Sequence, residues 1–228
     1  MSEDVELYRK PTWYVNSDAS EVGALAREIV GATRDDVERA CQLFYAVRDG
    51  IRYSAYDIDL DREALRATHV LSVGTGWCVS KSVLLAALCR SVGIACRLGY
   101  ADVCNHMATK KLLDLLGTNV FYYHGFNELY LRGKWVKATV AFNRTLCQKA
   151  RLAPLDFDGL HDSIYHPFDL AGHRYMEYLR LYAPTADVPY DDLIATFARV
   201  YPKLGSSGGR ANRLEGDFEA EIQSEAAN

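Results

Sequence analysis

The sequence predicts an α+β fold in which one apolar helix packs against a small antiparallel sheet. Residues 74–90 join a glycine-rich turn to an uninterrupted apolar helix pattern. Residues 121–131 are rich in aromatic side chains and predict a strand, residues 132–134 predict a hairpin turn, and residues 135–142 predict the returning strand. The helix and the hairpin supply the two layers around which a core can form.

The other elements follow in chain order. Residues 11–15 predict a short leading strand or arm, and Ser17 and Asp18 offer a cap for the first helix. The connection 105–118 is long enough to lie over the mouth of a site and to help select a substrate. Periodicity and end signals predict helices at 24–30, 33–50, 110–116, about 172–182 and about 190–200, and a strand at 94–103.

Length and composition fit one soluble domain. The chain has 228 residues, of which 49% are hydrophobic and 25% charged, so it can form a substantial core without disulfides or metals. We expect a single domain over residues 1–202 and a disordered tail over residues 203–228, where Gly, Ser, Glu and Ala dominate. A net charge of −4 without a basic stripe argues against nucleic-acid binding. Apolar runs are too short for a membrane span, and the start lacks the apolar stretch of a signal peptide, so the default expectation is a cytoplasmic protein.

Neither the cysteines nor the histidines show a metal-binding pattern. The six cysteines include no Cys-x-x-Cys pair, and disulfides are not expected in a reducing compartment. Histidines and carboxylates gather in the last third of the chain at spacings that match no ligand set: His161, His166 and His173 with Asp158, Asp162 and Asp169. We therefore expect a polar loop there, and no metal or organic cofactor.

Cys78 follows the glycine-rich turn and is predicted to lie where the apolar helix begins. Orphan backbone N–H groups and the positive end of the helix dipole favour the thiolate at such a position. The thiolate is the form that attacks carbonyl carbons, so Cys78 is a candidate nucleophile. The alternative is a buried structural cysteine, which needs neither a glycine turn nor a helix start.

His124 lies in the first strand of the predicted hairpin. A histidine on a hairpin packed across a cysteine-bearing helix start supplies the second group of thiol–imidazole chemistry, and cross-strand packing is its alternative role. Trp77 and Tyr123, the aromatic neighbours of the two residues, are predicted to contact substrate, although the Trp77 indole could simply pack. The backbone N–H of Trp77 or of Cys78 is a candidate oxyanion donor.

The order of several motifs resembles the transglutaminase-like core, which belongs to the papain-like cysteine enzymes. The resemblance covers roughly residues 40 to 145 and implies Cys78 as nucleophile and His124 as base. Calcium, which large animal transglutaminases use, has no identifiable site in this sequence. The motifs are Gly76-Trp77-Cys78 with its apolar helix, the run at 91–100, His124-Gly125-Phe126-Asn127-Glu128-Leu129 and Gly133-Lys134-Trp135-Val136.

One departure from the family concerns the acid that orients the histidine. The family places an Asp on the second strand, and the equivalent position here is Thr139, with no carboxylate anywhere in residues 129–155. Thr139 through its hydroxyl, or Asn143 four residues on, would replace it, because an Asn serves this role in papain-like proteases. Asp156 and Asp158 are further candidates if the chain folds back.

The sequence therefore predicts an acyl-transfer enzyme that works through a Cys78 thioester, with a small-molecule or peptide acyl substrate. Water as acceptor would make it a hydrolase, an amine would make it an amide-forming enzyme, and a carbon nucleophile within the substrate would make it a cyclase. The alternative is a non-catalytic binding module that retains the scaffold, for which the missing Asp is the main support. The oligomeric state stays open.

Overall fold

The computed structural model describes residues 5–106, 108–164, 168, 170–172, 174–204 and 214–225. Over these residues the α-helices are α1 (Ser20–Val30), α2 (Asp36–Gly50), α3 (Ala67–Val73), α4 (Cys78–Ser91), α5 (Lys110–Leu116), α6 (Arg144–Lys149), α7 (Tyr190–Val200) and α8 (Phe218–Glu225). The strands are β1 (Arg52–Tyr53), β2 (Thr75–Gly76), β3 (Cys96–Asn105), β4 (Val120–Leu131), β5 (Lys134–Ala138) and β6 (Met176–Leu181).

The main sheet has four strands in the order β5-β4-β3-β6, and each neighbouring pair is antiparallel. β1 and β2 form a separate parallel pair directly before α4. α4 packs across β4, so that the apolar helix covers one face of the sheet. The predicted α+β architecture, with the cysteine helix on a small antiparallel sheet, is confirmed.

α4 is central to the core because its sequence is mainly apolar and has no continuous polar face. Every residue from Cys78 to Arg90 is buried, as expected for a helix without a polar face. The two long basic side chains in it find main-chain acceptors. Lys81 Nζ donates to the carbonyl oxygens of Arg48 at 3.0 Å and Ile51 at 2.6 Å, and Arg90 donates to three further carbonyl oxygens. These bonds tie α4 to the segments that surround it.

Most of the predicted elements are confirmed within a few residues: α1, α2, α4, α5, α7, β3 and β4. Asp35 caps α2 by accepting hydrogen bonds from two backbone N–H groups of the first turn, and Thr109 caps α5 by accepting one from the Leu112 N–H. The returning strand of the hairpin, β5, ends at Ala138, earlier than expected. α6 had not been predicted from the sequence.

The helix predicted at about 172–182 is wrong, because this segment contains the strand β6. Its apolar side chains recur at spacings that suit a helix, but β6 pairs with β3 from Ala101↔Leu181 to Asn105↔Met176. Without β6 that side of β3 would be an open edge with unpaired backbone groups. Tertiary pairing therefore overrides the local pattern.

The end of the chain also differs from the expectation of a disordered tail over residues 203–228. Residues 214–225 are described, and most of them form α8, whose Phe218 is buried. The Phe218 ring packs against Tyr56 at 5.0 Å and Tyr53 at 5.7 Å between centroids. Phe218 thus anchors a segment whose composition is largely polar. Residues 205–213 and 226–228 lie outside the described residues.

Candidate active site

Cys78 is the first residue of α4, and the two glycines before it shape this helix start. Gly74 ends α3 with a φ of 67°, in the left-handed region that glycine adopts without strain. A Cβ on Gly76 would lie 2.5 Å from Ser80 Oγ. That hydroxyl accepts a hydrogen bond from the Trp77 N–H at 3.0 Å and donates one to the Trp77 carbonyl at 3.1 Å. The absence of a side chain on Gly76 therefore leaves room for Ser80 to cap the helix.

The Ser80 cap also removes one of the two candidate oxyanion donors. Because the Trp77 N–H already donates to Ser80 Oγ, it does not point freely into the site. The backbone N–H groups near the Cys78 sulfur belong instead to Gly125, Val79 and Cys78 itself.

His124 follows an irregularity in β4. The register between β3 and β4 shifts immediately before this residue. Tyr123 there has a φ of 55°, a left-handed conformation that bulky residues rarely adopt. The Asp102 carboxylate accepts hydrogen bonds from the Tyr123 backbone N–H at 3.3 Å and from the Tyr182 hydroxyl at 2.8 Å. Asp102 thus stabilises the bulge that sets the direction of His124.

Gly125 lets β4 come into contact with the start of α4. A Cβ at this position would lie 2.9 Å from Val79 Cα and 3.1 Å from both Cys78 O and Val79 N. All three are backbone atoms, which cannot move aside as the end of a flexible side chain would. A glycine is therefore required for the close approach that brings His124 to the helix start.

Cys78 and His124 line the same cavity, which has a volume of about 40 Å³. The two residues are 6% and 3% exposed, so the candidate site is almost closed to solvent. Trp77 also lines this cavity, and Leu112 and Leu116 of α5 form another part of its wall. The connection that carries α5 therefore lies over the candidate site, as expected from the sequence.

Tyr123 was predicted to contact substrate, but it does not line this cavity. Its ring stacks on Tyr182 with a centroid distance of 4.4 Å. The preceding residue, Tyr122, lines the cavity instead, and the alternation of side chains along a strand could have indicated this. Phe197 and Tyr201 also contribute to the wall; they come from α7 and its end, and no local sequence signal links them to the site.

Burial controls the protonation of both candidate residues. It raises the pKa of the Cys78 thiol to about 11, although hydrogen bonds from the backbone N–H groups of Gly125, Val79 and Cys78 act in the opposite direction. It lowers the pKa of His124 to about 4. At neutral pH the resting pair is a neutral thiol and a neutral imidazole. The thiolate expected at the helix start is therefore not the resting form, because loss of hydration outweighs the donors there.

Asn143, one of two residues predicted to orient the histidine, is engaged elsewhere. Its Oδ1 accepts a hydrogen bond from the Tyr53 N–H at 3.1 Å. Its Nδ2 donates to Thr145 Oγ1 at 2.5 Å and to Glu219 Oε1 at 3.2 Å. Both ends of the amide thus connect β1, α6 and α8, and the orienting role predicted for Asn143 is not supported.

Thr139, the other candidate, is buried, and its hydroxyl has no hydrogen-bond partner among the described residues. The two carboxylates considered as substitutes also have other partners. Asp156 lies 3.4 Å from an Arg48 guanidinium nitrogen, and Asp158 lies 2.7 Å from His161 Nδ1. The Thr139 hydroxyl therefore makes no hydrogen bond to the histidine among the described residues, and both carboxylates are engaged with other side chains.

The described residues contain no cluster of three His, Cys, Asp or Glu side chains that could hold a metal ion. Of the C-terminal group considered above, His166, His173 and Asp169 lie outside the described residues. All six cysteines carry free thiols. In the described part of the chain, no helix combines the length and the apolar character needed to cross a bilayer.

Comparison with known proteins places both candidate residues within a recognised domain. The model of the transglutaminase-like superfamily matches residues 23–140. A similar solved structure is the crystal structure of a candidate cysteine protease from Cytophaga hutchinsonii, with 17% sequence identity and a TM-score of 0.48. The match covers 81% of this chain and 55% of that one, so the chain spans about half of the length of its structural relative. No curated protein matches the sequence.

Proposed function

The chain belongs to the transglutaminase-like superfamily, and from this premise we propose that it is an acyl-transfer enzyme that forms a thioester on Cys78. Membership supports a cysteine-dependent enzyme in general; the acyl-transfer chemistry and the residue roles are our proposal. The observation that carries it is the shared cavity of Cys78 and His124, at the point where β4 touches the start of α4.

The protonation states support a general-base mechanism. With the pKa of Cys78 at about 11 and that of His124 at about 4, the pair holds one transferable proton, on sulfur. As Sγ attacks the carbonyl carbon, His124 takes this proton and the carbonyl π electrons move to oxygen. When the tetrahedral intermediate collapses, the bond to the leaving group breaks and His124 returns the proton to that group. A thioester and a neutral imidazole remain.

Backbone N–H groups at the helix start would stabilise the oxyanion. Those of Cys78 and Val79 are orphan donors of the first turn of α4 and already lie near the sulfur. In the second half-reaction an acceptor gives its proton to His124 and attacks the thioester carbonyl. The C–S bond then breaks, and His124 returns the proton to the Cys78 sulfur, which restores the resting pair. Water would give hydrolysis, an amine would give an amide, and a carbon nucleophile within the acyl group would give a ring.

Trapping the acyl group tests this proposal. The protein is incubated with p-nitrophenyl esters and analysed by intact mass and peptide mapping. We expect one acyl group on Cys78, none at this position in Cys78→Ala, and strongly slowed acylation in His124→Gln. Cys104→Ala is the matched control, since Cys104 is more exposed than Cys78 and would react first if exposure alone decided. An acyl group on Cys104 but not on Cys78 would favour the non-catalytic binding module.

A further inference from the structure

A second, larger cavity adjoins the one that contains Cys78. Its volume is about 260 Å³, compared with about 40 Å³ at the candidate nucleophile. Four residues line both cavities, namely Tyr53, Ala55, Leu112 and Phe121. A group bound in the larger cavity would therefore lie next to a carbonyl held at Cys78.

The walls of the larger cavity are mainly apolar. They include Phe142, Leu146, Leu152, Phe218 and Ile222, whose side chains belong to α6, α8 and the segments around them. The polar lining comes chiefly from three residues near the end of β3 and α8: Asn105, His106 and Glu225. His106 and Glu225 are exposed, which places the polar part of the cavity at its mouth.

α8 is a fixed wall of this cavity. Glu219 accepts from Lys149 Nζ at 2.8 Å, and Glu221 accepts from the Tyr56 hydroxyl at 2.5 Å. Glu225 accepts from the Lys110 backbone N–H at 3.1 Å. With three attachments along eight residues, the helix holds its apolar side chains against the cavity, so the space has a defined size.

We propose that the larger cavity binds the acyl group of the substrate, and that this group is an uncharged aryl or alkyl chain larger than a benzene ring. The inference rests on the proposed function. A cavity of about 150 Å³ lined by apolar side chains holds benzene, so 260 Å³ takes a ring with a short linker. The 40 Å³ at Cys78 has room for little beyond the reacting carbonyl. Glu225 at the mouth disfavours an acyl group that ends in a carboxylate.

The test compares acylation rates for p-nitrophenyl acetate, butyrate, hexanoate, 3-phenylpropionate and monosuccinate, measured as nitrophenolate release in the first turnover. Burial of each added methylene is worth about 0.8 kcal/mol, so the rate constant kcat/KM for acylation should rise about fourfold per methylene. The succinate should react more slowly than the uncharged butyrate.

Two variants test the location of the acyl group. Ala108 lines only the larger cavity, so Ala108→Phe should lower the ratio of the 3-phenylpropionyl rate to the acetyl rate about tenfold or more. Ile222→Trp fills the same space from α8 and should act in the same direction. The matched control is Ala220→Phe, on the exposed side of α8, which should leave this ratio as in the wild type.

The outcomes separate the two proposals. If no ester acylates Cys78, the proposed function fails. If Cys78 is acylated equally fast by acetate, hexanoate and 3-phenylpropionate, or if both filling variants leave the ratio unchanged, the function stands and the acyl pocket is refuted. A preference for the succinate would likewise refute the uncharged acyl class.

Discussion

Replacement of Gly125 by Ala perturbs the contact on which the candidate site depends. The new Cβ would lie 2.9 Å from Val79 Cα and 3.1 Å from Cys78 O, whereas ordinary contact begins at 3.4 Å. β4 must therefore retreat from α4 by 0.5 Å or more. Since His124 is the residue before Gly125, the imidazole moves with the strand, away from the sulfur.

The size of this shift sets the expected effect of Gly125→Ala. Forcing one methyl group into a packed core costs about 1–3 kcal/mol of stability. Misplacement of a catalytic group by about 1 Å lowers a rate by about 100-fold. We therefore expect a folded protein with lower thermal stability and a rate of Cys78 acylation that falls between about tenfold and 100-fold.

The assay is the time course of Cys78 acylation by a p-nitrophenyl ester, together with thermal unfolding followed by circular dichroism. Gly50→Ala is the matched control, because Gly50 lies at the end of α2 and a Cβ there meets nothing within 4 Å. If Gly125→Ala acylates as fast as Gly50→Ala while its stability falls, the contact supports folding only, and the argument that it aligns the two residues is refuted.

Further predictions concern protonation and the bulge. The value of kcat/KM should fall only below about pH 4, where His124 is protonated, and should not decline up to pH 9. A thiolate–imidazolium pair would instead lose activity as its imidazolium deprotonates, so a pH–rate profile distinguishes the two mechanisms. Because the pKa of His124 is lower in the folded than in the unfolded state, the free energy of unfolding should decrease by about 3 kcal/mol as pH falls from about 6.5 to 4. In urea unfolding at a series of pH values, His124→Gln should remove most of this pH dependence. Asp102→Ala removes the acceptor for the Tyr123 N–H and should lower kcat about tenfold. Asp102→Asn should restore most of this activity, because an amide oxygen still accepts that hydrogen bond. Equal effects of both variants would contradict the positioning role of Asp102.

Local signals were sufficient for the elements that carry the candidate site. The apolar run and the aromatic hairpin have sequence patterns that tertiary contacts do not override, and the glycine turn marks where the helix begins. α4, β3 and β4 were therefore predictable. The start of α4 at Cys78 follows from Gly74 and Gly76, both visible in the sequence. β6 was not predictable, because its conformation is decided by the free side of β3 and not by its own residues.

The chemistry of the site was less accessible from sequence. Helix-start donors predicted a thiolate at Cys78, but the resting thiol depends on how completely β4, α5 and α7 cover the cavity. Asn143 was a reasonable substitute for the missing Asp by strand alternation. The strand ends at Ala138, however, so the alternation does not reach Asn143, and its amide binds Tyr53 and α8 instead.

The buried Lys81 leads to a prediction about how the stability of the protein depends on pH. It lies one turn after Cys78, and burial lowers its pKa from an ordinary 10.5 to about 7. Between these values the unfolded chain holds more protons than the folded one, so this group makes stability rise with pH from about 7 to 10.5, by about 5 kcal/mol in total. Buried Cys78 and Cys147, whose pKa values are raised to about 11, make stability fall above about pH 9.

Comparison with Lys81→Met separates these opposing contributions, because the two cysteines are the same in both proteins. The variant loses the titratable amine and leaves the carbonyl oxygens of Arg48 and Ile51 without their Lys81 donor. We expect urea unfolding between pH 7 and 9 to show a wild-type stability that rises relative to the variant by about 1.4 kcal/mol per pH unit. The exposed Lys134→Met is the control and should run parallel to the wild type. Parallel curves for Lys81→Met would mean that Lys81 keeps an ordinary pKa in the folded protein and stays protonated between pH 7 and 9, which would refute the prediction.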